Sequence, residues 1–391
     1  MKPGRIYMDN CITTKPAPEV LAAMKPFMEE QFWFPGSFVS TAEIINSAID
    51  QYRFTIAQSI FAKPSELHFT SGGTLANNIA IKGLVTAHAD KGSHIICSVV
   101  DYPDLLTNAA FFEQSGFDVT YLPANSEGFV DLDELKAAIR PDTILFMTTI
   151  VNHVVGTIQP MHEIRDILAA ADHKIYFHAD AGQAYGKMLL DVKDLAVDTM
   201  SISAHKIHGP QGIGALYVKS GTKLGQLIHG VRRIDDLQTG GLNIALIAGF
   251  HKAVELTFAD LDATVAHLRE LSNYLIERIE ATIPEVELNG PRGAGRACHN
   301  VNITIGFIEG EAITMMLDMH GITVATGSAC ASQGLQANYI LMAIGKNHMQ
   351  SHGSMKFTLC KYNTKAEIDE VVGKLAEIAI ELRKRSPLYQ G

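Results

Sequence analysis

Lys206 stands within the run Ser201-Ile-Ser-Ala-His-Lys-Ile-His-Gly-Pro-Gln-Gly-Ile-Gly214, where its neighbours are mostly small, apolar or imidazole-bearing. Such surroundings strip water from an amine and favour its neutral form. A neutral amine is the nucleophile that forms a Schiff base with an aldehyde. The glycines and Pro210 behind it indicate a tight turn after a strand, with backbone close to a bound group. Two other polar groups belong with it. Asp180 offers a carboxylate, and Ser71-Gly-Gly-Thr74 offers hydroxyls and backbone N–H groups where a helix begins. An amine, a carboxylate and a helix N-terminus are together what pyridoxal phosphate requires. Lys206 would hold the aldehyde carbon and Asp180 would keep the pyridine nitrogen protonated. Gly73, Thr74, Ser203 and His205 would form the phosphate cup. A metal on His178, Asp180, His205 and His208 is the weaker reading. Lys206 in their midst opposes a dication, and the spacing matches no metal motif.

These residues need elements that bring them to one edge. Strand patterns at Leu67 to Thr70, His94 to Ser98, Val119 to Leu122, Ile144 to Thr149, Ile175 to His178 and Thr199 to Ser203 alternate with helical ones. The helical patterns begin near Leu75, Leu105, Leu132 and Ile164. Strands spaced by helices of about 10 to 15 residues predict a mostly parallel sheet, helices on both faces, and ligands at the carboxyl ends of the strands. Asp180, Lys206 and the Ser71–Thr74 turn all follow strand ends. Before them come a short strand at Arg5 to Met8, a helix from Pro18 through Phe27, and a helix opening on a capping box at Ser40-Thr-Ala-Glu43. Beyond Gly241 the texture changes. A long helical pattern over 242–281 leads to a small α+β lobe. Its strands are expected at Asn300 to Ile305, Thr323 to Ala325 and Met355 to Leu359, and a last helix from Lys365. The expected organisation is an N-terminal segment (1–15) packing on the small domain, a large cofactor-binding domain (16–260) and a small C-terminal domain (261–391).

The chain has 391 residues, of which 47% are hydrophobic and 19% charged, enough to bury a sizeable core. A net charge of −10 argues against nucleic acid or an acidic membrane as partner. No long apolar run or basic-then-apolar leader stands out, so a cytoplasmic protein is expected. Cys11, Cys97, Cys298, Cys330 and Cys360 are odd in number and scattered, which predicts free thiols and no disulfide framework.

Asp180-Ala-Gly-Gln183, Ser203-Ala-His-Lys206 and Gly209-Pro-Gln-Gly-Ile-Gly-Ala-Leu-Tyr217 resemble the class V aminotransferase group of pyridoxal-phosphate enzymes, and within it the cysteine desulfurases of the NifS and IscS type. Tyr7-Met-Asp-Asn10, Phe69-Thr-Ser-Gly-Gly-Thr74 with Asn77-Asn78, and Asn300-Val-Asn-Ile303 carry the resemblance along nearly the whole chain. Thr326-Gly-Ser-Ala-Cys-Ala-Ser332 resembles the loop bearing the family's sulfur-accepting cysteine. The resemblance implies a fold-type I transferase, with a seven-stranded, mostly parallel sheet in the large domain and a small α+β C-terminal domain. It implies a homodimer that converts L-cysteine to L-alanine and leaves a persulfide on Cys330. A sulfur-acceptor protein, for iron–sulfur cluster assembly or other sulfur transfer, would take it. By the same resemblance Lys206, Cys330 and Tyr102 are catalytic. Gly73, Thr74, Tyr102, His153, Asp180, Gln183, Ser203, His205 and Lys206 bind cofactor, and Asn10 and Lys356 bind substrate.

Several positions depart from the family pattern together. Tyr102 stands where a His usually stacks on the cofactor ring, and His153 where an Asn meets the ring hydroxyl. Lys356 replaces the Arg that grips the substrate carboxylate, giving a point charge in place of a fork. Phe34-Pro-Gly-Ser37 and Gln238-Thr-Gly-Gly241 stand for an Asn-Pro-Ser-like loop and an Arg-x-Gly-Thr-like turn. These changes leave a second reading open, a class V lyase or transferase paralogue acting on a different amino acid.

Overall fold

Apolar runs that alternate with helices along the chain close into layers around one main sheet. A computed structural model describes residues 4–37, 39–230, 237, 241–326, 337–387 and 389. Cys330 and residues 238–240 lie outside the described residues. After β1 (Ile6–Tyr7) come β2 (Leu67–Thr70), β3 (His94–Ser98), β4 (Asp118–Leu122), β5 (Thr143–Thr149), β6 (Tyr176–Asp180), β7 (Thr199–Ser203) and β8 (Gly214–Val218). The last seven form one sheet in the order β2-β8-β7-β6-β5-β3-β4. Neighbours from β4 through β7 pair in parallel, while β8 runs antiparallel to both β7 and β2. The fold expected from the resemblance is therefore present.

The connection between β7 and β8 is too short for a crossover helix, so β8 must return antiparallel. The glycine-rich run after Lys206, read as a turn, thus ends by feeding a strand that the sequence reading had not assigned. Within β5, side chains alternate between two cores. Phe146 joins Ile45, Ile49, Phe177 and Phe250 on one face, whereas Leu145 and Met147 join Ile81, Leu84, Leu105 and Ala109 on the other.

The remaining strands are β9 (Val286–Leu288), β10 (Asn300–Ile305), β11 (Ile322–Thr323), β12 (Ala325–Thr326) and β13 (Ser354–Thr358). They form an antiparallel sheet in the order β12-β13-β10-β9, while β11 pairs in parallel with β1. A separate core of Leu271, Leu275, Ile303, Phe357, Val371 and Leu375 holds this sheet to the helices Leu261–Thr282 and Lys365–Arg385.

Local chemistry explains where element boundaries differ from expectation. The helix opening at Pro18 breaks at Lys25 into Pro18–Met24 and Pro26–Glu29, because Pro26 has no N–H to continue the ladder. The helix Ser40–Gln58 begins on Ser40, with Val39 in the cap position and no side-chain cap, so no capping box forms there. The long helical pattern is two helices, Ile244–Phe258 and Leu261–Thr282. The second restarts where the Asp260 carboxylate accepts from Ala263 N–H at 3.3 Å.

The backbone around Arg296 joins the two sheets, bridging to Thr157. The buried Arg296 guanidinium donates to the carbonyls of Pro291 at 2.6 Å, Asn300 at 3.3 Å and Asn289. The same segment is tied to the hairpin after β5 by Ala297 N–H to Gly156 O at 2.7 Å and Ile158 N–H to Gly295 O at 2.8 Å. Replacing Arg296 by Met strands three buried carbonyls. The Arg296→Met protein should lose roughly 3 kcal/mol in urea unfolding; an unchanged midpoint would show that the segment is held by other contacts.

Candidate active site

β5 and β6 end level, with Thr149 opposite Asp180, while β7, where Ser201 faces Asp180, runs two residues further to Ser203. Asp180 is the last residue of its strand, which was expected to stop at His178. A single 3-10 turn, Ala204–Lys206, then carries Lys206 just past the edge of β7. Its Nζ donates to the carbonyls of Cys11 and of Ile12, the latter at 2.9 Å. Gln183 Nε2 donates to the same Cys11 carbonyl at 2.9 Å. Burial pushes the Lys206 amine below its usual range, and Lys356 adds to the effect. The Cys11 thiol, Asp180 and Asp9 oppose it.

Asp180 is buried and accepts from Gly182 N–H at 2.7 Å and from Asn77 Nδ2 at 2.9 Å. Since Asn77 gives its amino group to Asp180, its carbonyl must accept from His178 Nε2 at 3.1 Å. His178 Nδ1 then accepts the Thr199 hydroxyl at 2.9 Å. Burial holds His178 neutral, pushed down to about 3. Both of its ring nitrogens are thus engaged, which argues against the metal reading. The Asp180 carboxyl is itself pushed up by burial, against those two donors.

At the other end of the cleft Gly72 takes φ +150°, a conformation that favours glycine, and opens the helix Gly73–His88. Gly73 N–H donates to Ser203 Oγ at 3.0 Å, and a Cβ on Gly73 would come within 2.9 Å of that oxygen. His205 is neutral, pushed to about 4 by burial and then by the lysines at 206 and 187. The cleft, about 450 Å³ counting its mouth, brings together Gly73, Thr74, Tyr102, Asp180, Gln183, Ser203, His205 and Lys206.

The other expected residues lie around it. Tyr102 is placed by Asp101, whose buried carboxylate accepts from Ser98 N–H at 2.7 Å, Thr149 N–H at 2.7 Å and the Thr148 hydroxyl at 3.0 Å. Tyr102 N–H in turn donates to Thr149 Oγ1 at 2.9 Å. His153 meets the Tyr102 ring edge-on, with centroids 4.8 Å apart. It is buried and held well below its usual range by burial, then by Lys356 and Lys206. Lys356 is buried in β13, opposite Asn302 of β10. Asn10 gives its amide to the carbonyls of Thr358 at 2.8 Å and Tyr7 at 3.3 Å. His153, Lys356 and Asn10 are not among the residues lining the cleft.

Sequence reasoning missed Thr149, Asp104 and Gly182 in the cleft wall, and the roles of Asn77 and His178 behind Asp180. Thr149 at the end of an apolar run and Asn77 inside an otherwise apolar helix face were signals available to it. The residues present fit pyridoxal phosphate. Gln183 Oε1 and both ring nitrogens of His153 are buried without a hydrogen-bond partner among the described residues, and leaving such atoms unmet is costly.

Asn77 is fully buried between two partners. Asn77→Leu leaves Asp180 with one donor and His178 Nε2–H with no acceptor. It should lower stability by about 2–3 kcal/mol in chemical denaturation, whereas Asn78→Ala one position along, at a half-buried amide, should cost well under 1 kcal/mol.

Residues 6–371 match the family model described as Aminotransferase class-V. A cysteine desulfurase IscS of Dictyoglomus turgidum is 43% identical over 385 residues, covering 98% of this chain and 97% of the relative. The cysteine desulfurase IscS of Methanosarcina thermophila is 42% identical over 383 residues, with 98% and 94% covered. Among solved structures, a NifS-like protein superposes with a TM-score of 0.91 at 29% identity, covering 97% of this chain and all of that one. SspA in complex with cysteine gives a TM-score of 0.81 at 32% identity, covering 92% of this chain and 100% of SspA. The Lys206 cleft thus sits in a chain that belongs to the class V aminotransferase family, whose members are pyridoxal-phosphate enzymes.

Proposed function

We propose that this protein is a pyridoxal-phosphate-dependent cysteine desulfurase. It would take L-cysteine to L-alanine and leave the sulfur on Cys330 for an acceptor protein. The observation that carries the reading is one cleft holding a desolvated Lys206, a buried Asp180 and the Gly73–Ser203 cradle. Relatives named cysteine desulfurase, matched over almost the full chain, support it, and none of their names favours a different amino acid. The same reading makes the protein a cytoplasmic homodimer that serves iron–sulfur assembly or other sulfur transfer.

Pyridoxal phosphate, when bound, supplies a reactive aldehyde carbon and a ring that withdraws electrons from the bonds at the substrate's α-carbon. The chain's own residues do the rest. Asp180, steadied by Asn77 and Gly182, offers a carboxylate for a ring N–H. The Gly73 and Thr74 backbone at the helix N-terminus, with Ser203 and His205, holds the phosphate. Gln183 and His153 offer buried polar atoms to the ring's substituents. Lys206, whose amine burial shifts toward the neutral form, provides the nucleophile and afterwards carries protons, its Nζ steered by the Cys11 and Ile12 carbonyls. Lys356, buried behind the cleft wall but within electrostatic reach of Lys206, would by the family resemblance be the cation for the substrate carboxylate. The Cys330 thiolate attacks the substrate sulfur: an S–S bond forms, the substrate's C–S bond breaks, and a proton completes the methyl group of alanine.

The purified protein should be yellow, and Lys206→Ala should lose the visible band while still folding. Given L-cysteine and a thiol reductant, the wild type should release sulfide and alanine in equal amounts. Cys330→Ala should keep the visible band and lose sulfide release. A colourless protein that takes up no pyridoxal phosphate would end this reading. Lys356→Ala should raise KM for L-cysteine about 30-fold, the equivalent of roughly 2 kcal/mol for a lost buried charge partner; an unchanged KM would assign carboxylate binding elsewhere.

A further inference from the structure

A second cavity shares Lys206 as a wall with the cleft and encloses about 390 Å³ counting its mouth. Its charged and titratable lining is Lys187, Lys206, His208, Lys361 and Cys360, and among the described residues no Asp or Glu lines it. Much of the remaining wall is apolar, with Leu268 and Leu359 both buried. Lys187 Nζ reaches the Lys206 carbonyl at 3.1 Å, the bond that places it between the two cavities.

The groups facing Lys187 supply no counter-ion. From the N-terminal loop the Cys11 thiol turns instead to Asp9, at 3.5 Å. Burial pushes the thiols of Cys298, before β10, and Cys360, after β13, upward, which keeps them protonated. His205 and His208, after β7, are pushed to about 4, and His299 lies well below its usual range, so all three are neutral. Lys206 and Lys361 bring no negative charge. Burial lowers Lys187 itself to about 8, so it is still largely charged at neutral pH, in a hole with no anion. A buried cation of this kind gains most from a partner that brings the missing charge.

We infer that this cavity is a second ligand site, for a small organic carboxylate whose charge meets Lys187 and Lys361 and whose carbon body lies on Leu268 and Leu359. Inorganic phosphate fits less well, because its further oxygens would face those leucines unpaired. An occupant acts on the main cleft through the Lys187–Lys206 bond, and the effect is reciprocal: the state of Lys206 alters the occupant's affinity.

The test needs no turnover, so it stands or falls apart from the desulfurase reading. Butyrate is titrated calorimetrically into the protein as purified, near pH 7 and at higher pH. Binding should be saturable near neutrality and weaken about tenfold per pH unit above pH ~8, as Lys187 loses its proton. It should vanish in Lys187→Met and in Thr264→Phe, which fills the cavity from the helix Leu261–Thr282 without touching the amine. Butanol and phosphate should bind at least tenfold more weakly. Absence of saturable butyrate binding, binding that survives Thr264→Phe in a folded protein, or tighter binding of phosphate would each overturn the proposal.

Discussion

Asp180 and Lys206 meet because β6 and β7 run parallel and in register, with Asp180 opposite Ser201 and Thr149 opposite Asp180. In a parallel sheet all the carboxyl ends open on one edge, so polar groups far apart in sequence converge without any loop having to reach. β2 runs the same way as β7 because β8 is antiparallel to both. That is why the Gly72–Gly73 turn opens on the same edge and Gly73 N–H finds Ser203. One reversed strand thus places the phosphate cradle beside the lysine.

The edge alone does not finish the cleft. The N-terminal segment crosses it, and the Cys11 carbonyl accepts from both Lys206 and Gln183. That segment is held in turn by β1 on β11 and by Asn10 and Cys11 on Thr358 of β13. The small antiparallel sheet therefore reaches the large one through a carbonyl acceptor at the reactive amine. A shift of the smaller sheet would be felt first as a change in how tightly Lys206 is held.

Much of this was legible in the residues. Lys206 among small and apolar neighbours, Asp180 at an apolar strand's end and a Gly-Gly-Thr turn are local signals, and local chemistry places each of them. The parallel architecture followed from spacing. What the chain did not disclose depends on partners distant in sequence. Asn77 and His178 act as a pair only because a helix packs across β6, about a hundred residues on in the chain. The Asn10 amide looked free for substrate as a motif residue, yet in the fold it holds the Thr358 backbone. A backbone carbonyl such as that of Cys11 has no sequence signature at all. The Cys330 loop, the most specific motif of all, lies beyond the described residues, so its placement rests on resemblance.

The changed positions are best understood as one electrostatic set. An imidazole is missing where Tyr102 stands, but one appears at His153, edge-on to that same ring and deeper in the protein. Depth changes what it can do. With Lys356 and Lys206 nearby and no water around it, His153 stays neutral and offers hydrogen bonds, not protons. His205 is neutral as well. Of the basic groups lining the cleft, this leaves Lys206, whose amine burial shifts toward its neutral form. On the proposed function, the amine that attacks would also move the substrate's protons, and its grip on the Cys11 and Ile12 carbonyls would have to loosen for either task.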